Sequence, residues 1–251
     1  MLKPFLTADW RYLAMLNFAV DPALLAPFVP AGTELDYFGR ETFLSVVGFL
    51  FLNTRVLGVA VPLHRDFEEV NLRFYVRRKS IEGWKRGVVF VRELVPRRAV
   101  AIVARVFYGE RYSAMPMQHA IIDDGKSVFV EYQWRRGKKW ESLCMTAAGQ
   151  ASSVALGSQE EFITEHYWGY TAGKRTGEYR VEHPRWKVWP ATTAKLDADV
   201  SALYGDQFVA PLLAPPASSF IAAGSHVQVW RKLDDPVLVE ATAAKPASPN
   251  A

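Results

Sequence analysis

The chain has 251 residues, half of them hydrophobic, and sets 30 Lys and Arg against 26 Asp and Glu. That small surplus is spread along the chain, which argues against the clustered basic footprint of a nucleic-acid binder. A lone cysteine, Cys144, rules out an intrachain disulfide, and no stretch supplies the roughly 20 apolar residues a spanning helix needs. The opening residues MLKPFLTADWRYL lack a sustained apolar run, so no secretory signal is expected and the cytoplasm is the expected location.

In chain order, Trp10 to Val20 predicts a mostly buried strand, and Asp21-Pro22 then starts a short helix, with a side-chain acceptor at the cap and Pro in the first turn. Pro30-Ala31-Gly32 turns the chain. Thr33 to Tyr37 and Glu41 to Asn53 read as a hairpin, followed by an irregular loop over Thr54 to Asp66. Glu68 to Arg78, EEVNLRFYVRR, alternates with a period of two, and Trp84 to Leu94 forms the next strand. Over residues 97–107 the apolar positions fall at helical spacing, with Arg98 and Arg105 roughly on one side. Lys126 to Trp134 and Trp140 to Thr146 make a hairpin around Gly137, and Ser158 with Glu161 forms a capping box for a helix to about His166. An aromatic meander runs from Tyr167 to Trp189, a short helix covers Asp197 to Phe208, and a last strand lies within Phe220 to Arg231. The composition predicts one mainly β (α+β) domain over residues 1–239, an antiparallel barrel-like sheet with a few short helices, and a disordered tail over 240–251.

The chemistry centres on the polar face Glu69, Asn71, Arg73 and Tyr75, whose opposite face is Val70, Leu72, Phe74 and Val76. On pattern alone a solvated sheet face is favoured. The alternative places these residues inside a barrel, where a desolvated carboxylate beside a guanidinium is suited to an acidic ligand. A second stretch, YGERYSAMPMQHA, adds Glu110, Tyr112 and Met117, and the helix adds Arg105. Two carboxylates and a phenol near guanidinium groups suit either acid–base work or simple binding, and an Arg73–Glu110 ion pair would be purely structural. No two histidines stand at HxH or HExxH spacing, no zinc-type Cys/His spacing occurs and no GxSxG is present, so neither a metal nor a cofactor is expected; His119 is the histidine to watch.

FEEVNLRFYV, the following Gly83 and Gly87, FYGERYSAMPMQ, the WRYLAMLNFAV opening, VPAGTELDYFGRETFLSVVGF and the EFITEHYWGY to EYRVEHPRW segment resemble the bacterial YqjF-like family of the acetoacetate decarboxylase-like superfamily. The resemblance implies an acetoacetate decarboxylase-like β fold and turns the Glu69 face inward. In the decarboxylases a comparable segment ends in Pro-Lys-Lys, whose first lysine forms a Schiff base with a keto acid. Here Pro116 is followed by Met117-Gln118, so the amine is missing. The expectation is a cavity for a small organic acid, with Glu69 and Glu110 as acid–base groups and Asn71, Arg73, Arg105, Tyr112 and Met117 contacting the ligand. Non-enzymatic binding or sensing is the competing expectation. Neither a nucleic acid nor a membrane is expected as a partner; antiparallel edges give the chain the means to self-associate, though no segment identifies an interface.

Overall fold

The computed structural model describes residues 3–60, 62, 64–97, 111–172, 176–231 and 233–234. The helix expected over 97–107, with Arg105 and Glu110, and the tail over 240–251 lie outside the described residues. In chain order the strands are β1 (Leu6–Val20), β2 (Glu34–Leu35), β3 (Thr42–Val56), β4 (Val59–Ala60), β5 (Phe67–Ser80), β6 (Gly83–Val95), β7 (Tyr112–Ala114), β8 (Met117–Asp123) and β9 (Ser127–Arg136). They continue with β10 (Lys139–Ala148), β11 (Ser152–Ser153), β12 (Trp168–Thr171), β13 (Gly177–Glu182), β14 (Lys187–Asp197), β15 (Ser218–Val229) and β16 (Leu233–Asp234).

Seven strands close a barrel in the order β13, β12, β6, β5, β3, β1, β15, and pairing of Val181 with Val229 and of Glu182 with Gln228 joins its ends. Closure satisfies the edges that an open sheet would leave exposed. From β15 the sheet carries on through β14, β10, β9 and β8, and this arm folds over the outside of the barrel. The two faces of β5 therefore have different neighbours. Val70, Leu72, Phe74 and Val76 point outward into a core shared with Val130, Tyr132, Trp134, Leu143 and Met145 of the arm. Burying each such side chain contributes about 1.5–3 kcal/mol. Gly48 of β3 permits this close layering, since a Cβ there would lie 2.6 Å from Cδ2 of Tyr132. The inner face of the barrel is lined by a second core that includes Met15, Phe43, Phe49, Phe51, Phe67 and Tyr75.

The short helices are capped as the sequence dictates. Asp21 accepts from Ala23 N before Pro22–Leu25, and Ser158 accepts from Glu161 N before Gln159–Thr164. Among the described residues no helix is long and apolar enough to cross a membrane.

Three local expectations are corrected, and one strand falls where the sequence reading assigns no element. The strand over Thr33 to Tyr37 does not form a hairpin with its successor: β2 pairs with β5, through Glu34–Arg77 and Leu35–Val76, and only a single bridge joins Phe38 to Glu41. The supposed loop over Thr54 to Asp66 contains the end of β3 and all of β4, joined by Leu57 and Gly58 at φ 51° and 84°. Two positive φ values match the twist of a tight hairpin, a conformation that a Leu does not advertise. Lys187 to Asp197 is a strand, held by β10 and β15 despite Pro190. The helix over Asp197 to Phe208 is divided at Gly205, φ 108°, into Val200–Tyr204, a 3₁₀ turn Asp206–Phe208 and then Val209–Leu213.

Candidate functional site

The barrel interior is incompletely filled and leaves a cavity of about 230 Å³. Much of its wall is aromatic. Trp10 packs edge-on against Phe49 and Phe51 and lies 6.3 Å from Trp186, and Phe51 stacks on Phe67 at 4.7 Å. Against this apolar wall β5 sets Glu69, Asn71 and Arg73, all buried and all facing the cavity because successive residues of a strand alternate faces. The polar face of EEVNLRFYVRR is thus turned inward, opposite to the solvated reading.

Glu69 sits at the centre of this polar pole. Asn71 Nδ2 donates to its Oε1 and the Tyr112 hydroxyl to its Oε2, each at 2.9 Å. Loss of solvent is the larger effect: burial pushes the carboxyl up to about 7, against the downward pull of these two bonds and of the Arg73 charge. At neutral pH the group is therefore divided between carboxylic acid and carboxylate, the condition under which a side chain can both give and take a proton. Arg73 is 8% exposed and its Nε has no acceptor among the described residues, nor does Arg73 form an ion pair there. Its guanidinium lies 5.7 Å from the centre of the Tyr75 ring.

The lining also includes residues that were not sequence candidates, Glu93 and His166 among them. Glu93, 2% exposed, pairs across the sheet with Asn71 on one side and with Tyr112 on the other. Simple alternation in GVVFVRELV would put Glu93 on the outer face with Val89 and Val91. A bulge intervenes: Leu72 pairs with Arg92 and Arg73 with Phe90, leaving Val91 extra, so that Val88, Phe90 and Glu93 all reach the cavity. His166 is another. Its Nε2 lies 3.1 Å from Asp36 Oδ2, which also accepts from Arg86 Nε at 2.6 Å, and its ring packs 4.7 Å from that of Tyr75. Burial lowers the His166 pKa to about 4, so the ring is neutral at pH 7. Burial also raises the Asp36 carboxyl, but the bonds from His166 and Arg86 outweigh it and hold that group below the usual range, so it is a carboxylate. With a carboxylate at Nε2, the single ring proton belongs there, and Nδ1 is left as an acceptor with no partner among the described residues.

The structure brings Glu69, Asn71, Arg73 and Tyr112 together. Met117 is not with them. It starts β8 on the outer arm, opposite Trp134, and packs against the outer core instead of forming the cavity floor. His119 is also on that arm, 2.6 Å from Glu68 and well exposed. Among the described residues no lysine lines the cavity, and no three His, Cys, Asp or Glu side chains are grouped as a metal site requires.

Residues 7–226 match the family model of DUF2071, described as an uncharacterized conserved protein. The protein YqjF of Bacillus subtilis (strain 168) is 26% identical over 182 residues, covering 70% of this chain and 72% of that one. Among solved structures, acetoacetate decarboxylase from Legionella pneumophila superposes with a TM-score of 0.64 at 12% identity, over 92% of this chain and 87% of that one. The enduracididine biosynthesis enzyme MppR, complexed with pyruvate, gives 0.66 at 12% identity, over 93% and 91%. An acetoacetate decarboxylase-like enzyme from Sphingomonas wittichii RW1 gives 0.61 at 13% identity, over 93% of both chains. The closed seven-stranded barrel with its outer arm is thus the acetoacetate decarboxylase-like fold, and the chain belongs to the DUF2071 family, of which YqjF is a relative.

Proposed function

We propose that the barrel cavity binds a small organic acid, with Arg73 holding the carboxylate and Glu69 serving as a general acid–base that works without a Schiff-base lysine. The observation that carries this reading is the buried Arg73 guanidinium, which faces the cavity with no carboxylate paired to it among the described residues. A buried charge of that kind is costly until an anion meets it, and a ligand carboxylate does so with charge-assisted hydrogen bonds. Glu69, poised near 7 and braced by Tyr112, is placed to exchange a proton with a carbon or oxygen next to that carboxylate. A fold of this kind holds pyruvate in MppR, which supports an acid as ligand. The absence of a lysine from the described cavity lining favours a route other than imine formation. Arg105 and Glu110 are not required by the proposal. A cytoplasmic setting and self-association through strand edges belong to the same proposal.

Thermal-shift titration with pyruvate, acetoacetate and 3-phenylpropanoate is expected to raise the melting temperature of the wild type and not that of Arg73→Ala. Equal shifts in both proteins, or none in either, would remove the acid-binding reading. Incubation of acetoacetate in D₂O, followed by NMR, is expected to show its C2 hydrogens, acidified by the adjacent ketone, exchanging faster with the wild type than with Glu69→Gln. The apolar bulk of the wall favours a second reading, a binding or sensing module without chemistry. Saturable binding with no exchange and no turnover would select it.

A further inference from the structure

Given an acid in the cavity, the hydrogen-bonding groups left over around Arg73 specify more of it. Five buried polar atoms of cavity-lining residues have no partner among the described residues: the donors Arg73 Nε and Trp10 Nε1, the acceptors Asn71 Oδ1 and His166 Nδ1, and the Thr54 hydroxyl, which can play either part. The two acceptor assignments follow from their other ends. Asn71 uses its amide nitrogen on Glu69, which leaves the oxygen turned away from that bond, and His166 commits its only ring proton to Asp36. A simple carboxylate has only acceptors to offer, so it can meet donors such as Arg73 Nε and no more. It leaves two buried acceptors unmet, and buried polar groups are nearly always paired.

Resting on the reading that the cavity takes an organic acid, we infer that its ligand carries a hydroxyl beside the carboxylate and an apolar, ring-sized body: a hydrophobic 2- or 3-hydroxy acid, whose hydroxyl donates to Asn71 Oδ1 or His166 Nδ1 while the carboxylate lies on Arg73. The spacing fits such a molecule. Asn71 and Arg73 are two residues apart on one strand face, about 7 Å between Cα atoms, and Arg73 and His166 flank the same Tyr75 ring. At about 30 Å³ for each water-sized unit, the cavity of about 230 Å³ holds about eight such units, the scale of one ring with a short acid chain. The aromatic wall of Trp10, Phe49, Phe51, Phe90 and Trp186 receives the ring. A neutral hydroxyl fits better than an ammonium, which would bring a second full charge into an apolar enclosure.

The test is calorimetric titration of the full chain with three acids that share one ring: 3-phenyllactate, 3-phenylpropanoate and phenylpyruvate. The expected result is that 3-phenyllactate binds at least about tenfold more tightly than the other two, because each of them leaves the acceptors unpaired. The preference is expected to disappear in Asn71→Leu or in His166→Leu while 3-phenylpropanoate still binds. Equal affinities for 3-phenyllactate and 3-phenylpropanoate, both lost in Arg73→Ala, would overturn this inference and leave acid binding standing. Persistence of the preference in both acceptor variants would also overturn it. Failure of all three acids to bind would remove the acid-binding reading and this one with it. The wild-type comparison decides the matter even if an acceptor variant does not fold.

Discussion

Replacing Glu69 by Gln tests the electrostatics of the site without any ligand. The two side chains are nearly the same size, and Gln keeps an acceptor for Asn71 Nδ2, while the Tyr112 hydroxyl can turn to accept from the new amide. In the folded chain Glu69 titrates at about 7 against an ordinary value of 4.5, because burial penalises its charge. Between those two pH values the folded state holds a proton that the unfolded state has released, so wild-type stability falls as pH rises through this window. Two and a half pH units correspond to about 3 kcal/mol, fully present above pH 7 and absent below 4.5. Glu69→Gln carries no such penalty. Urea unfolding at pH 5 and pH 8 is therefore expected to show the variant gaining on the wild type by about 2–3 kcal/mol between the two conditions. A difference that stays constant with pH would refute the claim that Glu69 is a desolvated carboxyl.

The opposite pH signature belongs to His166, whose pKa is lowered to about 4. Between 4 and 6.5 the unfolded state binds the extra proton, so wild-type stability is lost as pH falls; the deficit of His166→Gln at pH 7 should shrink at pH 4.5 by about 2–3 kcal/mol, read by the same unfolding assay. Arg78 and Glu178 form an ion pair at 2.6 Å with both side chains almost wholly buried. Arg78→Met strands the carboxylate and is expected to cost about 3–5 kcal/mol, whereas unchanged stability would mean that Lys85 alone compensates it. Gly48→Ala drives a methyl into the Tyr132 ring and should destabilise by about 1–3 kcal/mol in chemical denaturation.

The strand EEVNLRFYVRR is plain in the sequence because its period of two is uninterrupted from Val70 to Val76, and the structure extends it only to Phe67–Ser80. Which way its polar face looks is not a local property. Solvent and barrel interior impose the same alternation, and only the resemblance turns Glu69, Asn71 and Arg73 inward. Glu93 is hidden by the extra residue Val91, which changes the parity of β6 by one position, and no pattern within nine residues announces such a bulge. His166 owes its place to Asp36, 130 residues away, a pairing that no spacing rule can find. Met117 illustrates the converse. The match of Pro116 to the decarboxylase motif, with Met117 in the place of its first lysine, draws attention to the segment, but β8 pairs with β9 on the outer arm, and the side chain follows its strand.

The central claim is that Arg73 binds a ligand carboxylate inside the barrel, and calorimetric titration of 3-phenylpropanoate into wild type and Arg73→Ala at pH 7 tests it most directly. Loss of a charge-assisted hydrogen bond should weaken binding by about 10- to 150-fold in the variant, with its fold retained by circular dichroism. Equal affinity in the two proteins would contradict the account.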